Sequence, residues 1–115
     1  MSETPLTSTT ETALSLKNQG NNASQRGDLA AAETFYKKAI ALDANYMPAH
    51  YNLGNVFHKT KRYSEALTAF EAAAKIAPDD YEIQVNMGVT LNAMAAYSKA
   101  IAAFQRGAVF EPNAL

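Results

Sequence analysis

Small and hydrophobic residues recur along the chain with a period of thirty-four residues. A fixed period of this length indicates a repeat architecture. The pattern divides the chain into repeats at residues 13–46, 47–80 and 81–114, after a Ser- and Thr-rich segment, residues 1–12, that we expect to be a flexible tail. The equivalent positions are Gly20, Gly54 and Gly88; Ala32, Ala66 and Ala100; Tyr36, Phe70 and Phe104; and Pro78 and Pro112.

Each repeat has apolar residues spaced for two helices. In the second half of the first repeat, Ala32, Phe35, Tyr36 and Ala39 follow a period of about 3.6 residues. No segment alternates with period two for long enough to predict a strand. We therefore predict an all-α fold of three helix-turn-helix units with six antiparallel helices. The first predicted helix begins near residues 10–13 and ends near residue 25. The other five are predicted to span residues 29–42, 47–60, 63–76, 81–94 and 97–110.

The recurring glycines indicate close packing between helices. Glycine in a helix interior costs about 1 kcal/mol relative to alanine, so its return at one position of every repeat requires a compensating contact. The large residues Tyr36, Phe70 and Phe104 would fill the space beside these small positions. One helix pair cannot bury both of its faces, and stacked pairs share a continuous core.

These repeats resemble the tetratricopeptide repeat family, whose pattern is W-x2-L-G-x2-Y, then A-x3-F, then P. The resemblance covers residues 13–114 and implies a right-handed superhelical solenoid. In that family the first helices line a concave groove that receives an extended peptide or a helix, so a protein or peptide ligand is implied. The middle repeat carries the pattern as His50-x2-Leu53-Gly54-x2-Phe57, Ala66-x3-Phe70 and Pro78.

Asparagines are the leading candidates for contacts in this groove. Asn18, Asn52 and Asn86 share one repeat position, and Asn21 and Asn55 share a second position, which Val89 breaks. A carboxamide offers both a donor and an acceptor to the backbone of a ligand. The open alternative is that asparagine is simply typical of the family at these positions. The other predicted peptide-binding residues are Tyr51, His58, Val85 and Asn92, which the same register places in the groove, and Lys17, which the resemblance described next implies.

The resemblance also allows comparison with the clamp by which co-chaperones hold the C-terminal carboxylate of a heat-shock chaperone. Mapped here, that clamp requires Lys17, Asn21 and Asn52, which are present, and cations at positions 82 and 86. Glu82 and Asn86 occupy those two positions. Because charge-assisted bonds are the strong contacts to a carboxylate, we do not expect high affinity for an acidic tail.

Composition argues against several other classes of function. The net charge of −1 gives no basic surface for nucleic acid. No apolar run reaches the roughly 20 residues of a membrane span, and the N-terminus lacks a signal-peptide pattern, so the default expectation is a cytoplasmic protein. The absence of cysteine and the eight-residue separation of His50 and His58 give no reason to expect a metal, a cofactor or a catalytic site.

The last predicted helix lacks a following repeat to cover it. We expect Ile101, Phe104, Ala108 and Phe110 to mediate self-association, for example as a homodimer. Three hypotheses follow: a non-catalytic scaffold that binds a peptide in its groove, a targeting module of a larger enzyme of the glycosyltransferase or sulfotransferase type, and a self-associating assembly unit. The second hypothesis arises because the asparagine rows resemble those of nucleocytoplasmic sugar-transferase arrays.

Overall fold

The computed structural model describes residues 11–110. Within this range the chain contains six helices and no strand, which confirms the predicted all-α solenoid of helix hairpins. Residues 1–10, where most of the expected tail lies, are outside the described range. The helices are α1 (Ala13–Gln25), α2 (Leu29–Leu42), α3 (Met47–Lys59), α4 (Tyr63–Ile76), α5 (Tyr81–Ala93) and α6 (Tyr97–Phe110).

Side-chain caps and a recurring turn fix the helix ends. The Thr12 hydroxyl accepts from the backbone N–H of Ser15, and Asp28 and Asp80 cap α2 and α5 in the same way. These bonds satisfy N–H groups that have no partner within the helix. The helices α3 and α5 end one residue earlier than predicted, and Thr60 and Met94 are their C-caps.

The turn inside each hairpin has a left-handed residue at the same repeat position. This residue is Gly27 (φ 82°) in the first repeat, Lys61 (φ 62°) in the second and Ala95 (φ 61°) in the third. Glycine adopts this conformation without the steric cost that a Cβ brings. The repeats therefore share one turn geometry, although only the first has the residue best suited to it.

The core follows the recurring small and large residues. Ala32, Ala66 and Ala100 are buried, and so are Tyr36 and Phe70. Phe104 occupies the equivalent position in α6 but is 39% exposed, because within residues 11–110 no helix packs over that side of α6. None of the described helices is long and apolar enough to cross a membrane.

Candidate functional site

The predicted asparagines lie on α1, α3 and α5, and we call the surface that they form the inner face. The two predicted rows bond to each other across the junctions between repeats. Asn52 Nδ2 donates to Asn21 Oδ1 at 3.2 Å, and Asn86 Nδ2 donates to Asn55 Oδ1 at 3.0 Å. The same bond is thus made twice, one repeat apart. Part of the hydrogen-bonding capacity of these amides therefore joins neighbouring repeats.

A tyrosine hydroxyl completes each of these junctions. The Tyr36 hydroxyl donates to Asn21 Oδ1, and Asn86 Nδ2 also donates to the Tyr51 hydroxyl at 2.9 Å. Burial raises the pKa of both tyrosines above the ordinary value, so both are neutral at physiological pH. Sequence reasoning placed Tyr36 only in the core. The available signal was that Tyr36 stands where the other repeats have phenylalanine.

The inner face contains a polar cavity of about 240 Å³ between α1 and α3. Ser24, Gln25 and Lys59 line it but were absent from the predicted site. They follow Asn21 and Asn55 by three or four residues, which is the spacing of neighbours on a helix surface, so the asparagine rows could have located them. The lining residues are Asn21, Ser24, Gln25, Tyr36, Asn52, Asn55, Val56 and Lys59.

The remaining predicted groove residues do not line this cavity. His58 Nδ1 lies 3.1 Å from the hydroxyl of Thr90, and the His58 ring packs edge-on against Tyr63 with 5.2 Å between ring centroids. The Val85 side chain is half-buried and lies beside Gly107 of α6.

Three other predicted residues have no bonded partner on the inner face. Lys17 is half-buried, and Asn18 and Asn92 are exposed. Within residues 11–110 the side chains of these three residues make no hydrogen bond or ion pair. They are therefore available to a ligand, although they do not form a compact cluster with the cavity.

The predicted self-association residues do not all share one surface. Ile101, Phe104 and Ala108 are spaced by three and four residues and lie on one side of α6. Phe110 is nine residues from Ile101, which at 3.6 residues per turn places it on the opposite side of the helix. Phe110 therefore does not share a surface with Ile101, Phe104 and Ala108.

Charged residues connect α2 of the first repeat to the N-terminus of α4 in the second. Arg62 bonds to Glu33 of α2 at 2.7 Å and to Glu65 at 2.8 Å, and Lys37 pairs with Glu33 at 2.7 Å. The Arg62 guanidinium also lies over the Phe57 ring, 4.5 Å from its centroid. Hydrogen bonds from Arg62 and then Lys37 hold the pKa of Glu33 below its usual value.

Beside these charges lies the outer cleft, an apolar cavity of about 530 Å³ between α2 and α4. It is larger than the polar cavity, but Lys37 and Glu65 at its edge are already paired within the protein. The polar cavity of the inner face differs from the outer cleft in this respect. Lys59, the cation that lines it, forms no ion pair within residues 11–110. The outer cleft therefore offers apolar contact, and the inner cavity offers directed polar contacts.

The polar cavity of the inner face is not lined by a set of reactive groups. Within residues 11–110 no group of three or more His, Cys, Asp or Glu side chains could hold a metal ion. The inner cavity is lined by amides, hydroxyls and one amine, without a carboxylate or a histidine. Such an arrangement can bind a ligand by hydrogen bonds and shape but does not supply a nucleophile with an adjacent base.

An array of packed helix hairpins with one repeated junction bond defines a helical repeat protein. Sequence models of the tetratricopeptide repeat match residues 17–81 and 57–114. Together these matches cover nearly all of the described chain, and the protein belongs to the tetratricopeptide repeat family.

Curated relatives include the probable UDP-N-acetylglucosamine–peptide N-acetylglucosaminyltransferase SPINDLY of Oryza sativa subsp. japonica and that of Hordeum vulgare. Each is 33% identical to this chain over 66 residues, which are 57% of the chain. The match spans only 7% of the length of each relative. It therefore relates this chain to a small part of those enzymes.

Several solved structures share the fold. A crystal structure of MamA superposes with a TM-score of 0.85 at 23% identity and covers 87% of this chain and 58% of that one. The second TPR of Spaghetti (RPAP3), bound to the HSP90 peptide SRMEEVD, gives 0.84 at 21% identity and covers 88% and 94%. MamA 41-end from Desulfovibrio magneticus RS-1 gives 0.80 at 29% identity and covers 87% and 56%.

Proposed function

We propose that this protein is a non-catalytic interaction scaffold that binds an extended peptide segment on its inner face. The observation that carries the proposal is the junction bond between Asn52 and Asn21, beside the polar cavity. A carboxamide has two N–H donors and one oxygen acceptor. Asn52 uses one N–H for the junction, which orients its other N–H and its oxygen before a ligand arrives. Such preorganisation lowers the entropic cost of binding.

The ligand that fits this arrangement is a peptide backbone rather than an acidic tail. The Spaghetti (RPAP3) domain of the same fold is bound to the HSP90 peptide SRMEEVD, which supports a peptide as the class of ligand. In this chain Asn86, at one of the cationic clamp positions, is engaged with Asn55 and Tyr51. Glu82, at the other position, would repel a carboxylate.

Two serine variants test the location of the site. Ser24 lines the inner cavity and Ser64 lines the outer cleft, so Ser24→Trp and Ser64→Trp place the same bulky side chain in each cavity. Peptides would be selected from a displayed random library on the wild-type protein, and their affinities for both variants measured by fluorescence anisotropy. We expect Ser24→Trp to weaken binding by about tenfold or more, a loss of about 1.4 kcal/mol or more, and Ser64→Trp to leave it unchanged.

The control for this experiment is circular dichroism, which should show the same helix content in both variants. Binding lost only in Ser64→Trp would move the site to the outer cleft. Failure of the library to yield any peptide that binds the wild type would count against peptide recognition as the function.

A second candidate function is a recognition module within a larger peptide-modifying enzyme. The observation that favours it is the match to 66 residues of the SPINDLY enzymes. An immunoblot of source cells with an antibody raised against residues 11–110 distinguishes the two. A band near 12.4 kDa, the mass of this chain, would support the separate scaffold, and a much larger band would support the enzyme module.

A further inference from the structure

The two ends of the helical array have opposite chemistry. At each internal junction, the first helix of one repeat buries three residues against the preceding repeat. These residues are Ala49, Leu53 and Val56 in α3, and Ile83, Met87 and Thr90 in α5. Only Thr90 among the six has a polar side chain, and its hydroxyl bonds to His58 of the preceding repeat.

The equivalent residues of α1 are Ser15, Gln19 and Asn22, and we call them the polar end. None of the three is buried. Gln19 Nε2 lies 3.4 Å from the hydroxyl of Ser15 and 3.4 Å from a carboxylate oxygen of Glu11. Covering this end with an apolar helix would remove these amides and hydroxyls from water without new partners, which costs free energy. The polar end is therefore unsuited to receive an apolar surface.

The opposite end of the array carries an apolar stripe on α6, formed by Tyr97, Ile101, Phe104 and Ala108. Their equivalents on α4 are Tyr63, Leu67, Phe70 and Ala74, and each of those is at least half-buried. On α6 all four are exposed, and Ile101 is 57% exposed. The stripe contains no charge, and Ser98 and Gln105, which border it on the solvent side, are neutral.

We propose that two copies of this chain pair through the α6 stripe, with the two α6 helices antiparallel about a two-fold axis. The spacing of the stripe supports this arrangement because it is symmetric about the point between Ala102 and Ala103. An antiparallel partner brings Ala108 opposite Tyr97 and Phe104 opposite Ile101. Large residues thus meet smaller ones along the seam, as in packed helix pairs. The proposal involves a different surface from the inner face and does not depend on peptide binding.

The charges on α6 and the polar end favour a closed pair over other arrangements. Lys99 and Arg106 lie on the side of α6 away from the stripe, so neither cation enters the seam. Head-to-tail stacking would instead press the apolar stripe onto Ser15, Gln19 and Asn22, and it would leave an open filament. A two-fold pair covers both stripes and leaves both polar ends in water.

Sedimentation velocity over a wide range of protein concentration tests the pairing. We expect the wild type to shift with concentration towards twice its 12.4 kDa mass. Ile101→Glu should raise the dissociation constant roughly a hundredfold or more, because two carboxylates would enter one apolar seam. Leu42→Glu is the matched control, since Leu42 is also 57% exposed but lies on α2. A wild type that stays monomeric, or a Leu42→Glu variant that dissociates equally, would overturn the proposal.

Engineered disulfides test the antiparallel register, because the chain has no cysteine of its own. A mixture of the Tyr97→Cys and Ala108→Cys variants should give a mixed disulfide-linked dimer. Tyr97→Cys alone should not, since the two introduced cysteines would be offset by eleven residues, roughly 16 Å along the axis, beyond disulfide reach. Efficient linkage of Tyr97→Cys to itself would overturn the antiparallel arrangement.

Discussion

Gly54 lies directly against the ring of Phe70, so that a Cβ at Gly54 would come within 2.6 Å of Phe70 Cε1. Phe70 is fully buried, so its ring can yield only by displacing the core residues around it. Alanine is the better helix former by about 1 kcal/mol, but overpacking of a core costs about 1–3 kcal/mol. We therefore expect Gly54→Ala to lower the free energy of unfolding by about 1 kcal/mol, measured by urea denaturation.

Gly88→Ala is the matched comparison for this prediction. A Cβ at Gly88 would also lie 2.6 Å from a phenylalanine, the ring of Phe104, but that ring is 39% exposed and can turn away. Measured at low protein concentration, where the proposed pairing would not cover α6, Gly88→Ala should be nearly neutral or slightly stabilising. Equal losses in the two variants would show that freedom of the neighbouring ring does not decide the cost.

The second prediction concerns the repeated junction bond. Double-mutant cycles of Asn21→Ala with Asn52→Ala, and of Asn55→Ala with Asn86→Ala, should each give a coupling energy of about 0.5–1.5 kcal/mol. The reason is that the two bonds are equivalent and each joins partly buried amides. The free energy of unfolding in urea is the measurement. Asn18→Ala, which removes an exposed amide, should change it by less than about 0.5 kcal/mol. Coupling near zero in both cycles would contradict the prediction.

The contrast between Gly54 and Asn52 shows how much of this molecule the sequence predicts. The thirty-four-residue period aligns each glycine with an aromatic residue sixteen positions later, such as Gly54 with Phe70. The two residues of this contact belong to the two helices of one hairpin. Their spacing therefore recurs in every repeat, and the period predicts the contact. The fold and the helix bounds follow from the same local pattern.

The junction bond could not be read from the period in this way. The period aligns Asn52 with Asn86, but the bond runs from Asn52 to Asn21, which belongs to a different repeat position. That pairing depends on how one hairpin is displaced against the next, and side-chain spacing along a single chain does not determine this displacement. The same displacement forms the polar cavity, so the cavity itself emerged only with the structure, although Ser24, Gln25 and Lys59 are helix-surface neighbours of the predicted asparagines.

The third prediction uses the left-handed turn. Ala95 has φ 61°, whereas the equivalent first-repeat residue is Gly27. In the folded protein, this conformation costs a residue with a Cβ about 1–2 kcal/mol, and a glycine avoids that cost. Glycine also has more conformational freedom in the unfolded chain, which offsets part of this stabilisation. We expect Ala95→Gly to raise the free energy of unfolding by about 0.5–1 kcal/mol and Gly27→Ala to lower it, measured by urea denaturation. A loss of stability in Ala95→Gly would contradict this account.

The fourth prediction concerns the pH dependence of the Glu33 ion pairs. Hydrogen bonds from Arg62 and Lys37 lower the pKa of Glu33 in the folded protein below its ordinary 4.5. A lowered folded pKa gives stability that is complete above the unfolded pKa and is lost as the pH falls through the folded value. We expect Glu33→Gln to have a lower urea midpoint than the wild type at pH 7, with a difference that shrinks below about pH 4.5.

Glu71→Gln is the control for the pH experiment. Glu71 is exposed and makes no ion pair within residues 11–110. Its replacement should therefore leave the difference from the wild type independent of pH. A Glu33→Gln difference that persists undiminished at pH 3 would mean that the side chain stabilises the fold by something other than its charge.

The fifth prediction converts the polar end into a second apolar surface. Ser15→Ile, Gln19→Met and Asn22→Thr would give α1 the three residues that α5 buries against the preceding repeat, namely Ile83, Met87 and Thr90. The triple variant could then stack head to tail through the α6 stripe, and a contact between two different surfaces that does not close produces open chains. We expect concentration-dependent species larger than a dimer in sedimentation velocity. Adding Ile101→Glu should remove them, because the carboxylate blocks the stripe. A triple variant that sediments as the wild type does would show that polarity at α1 is not what limits the array.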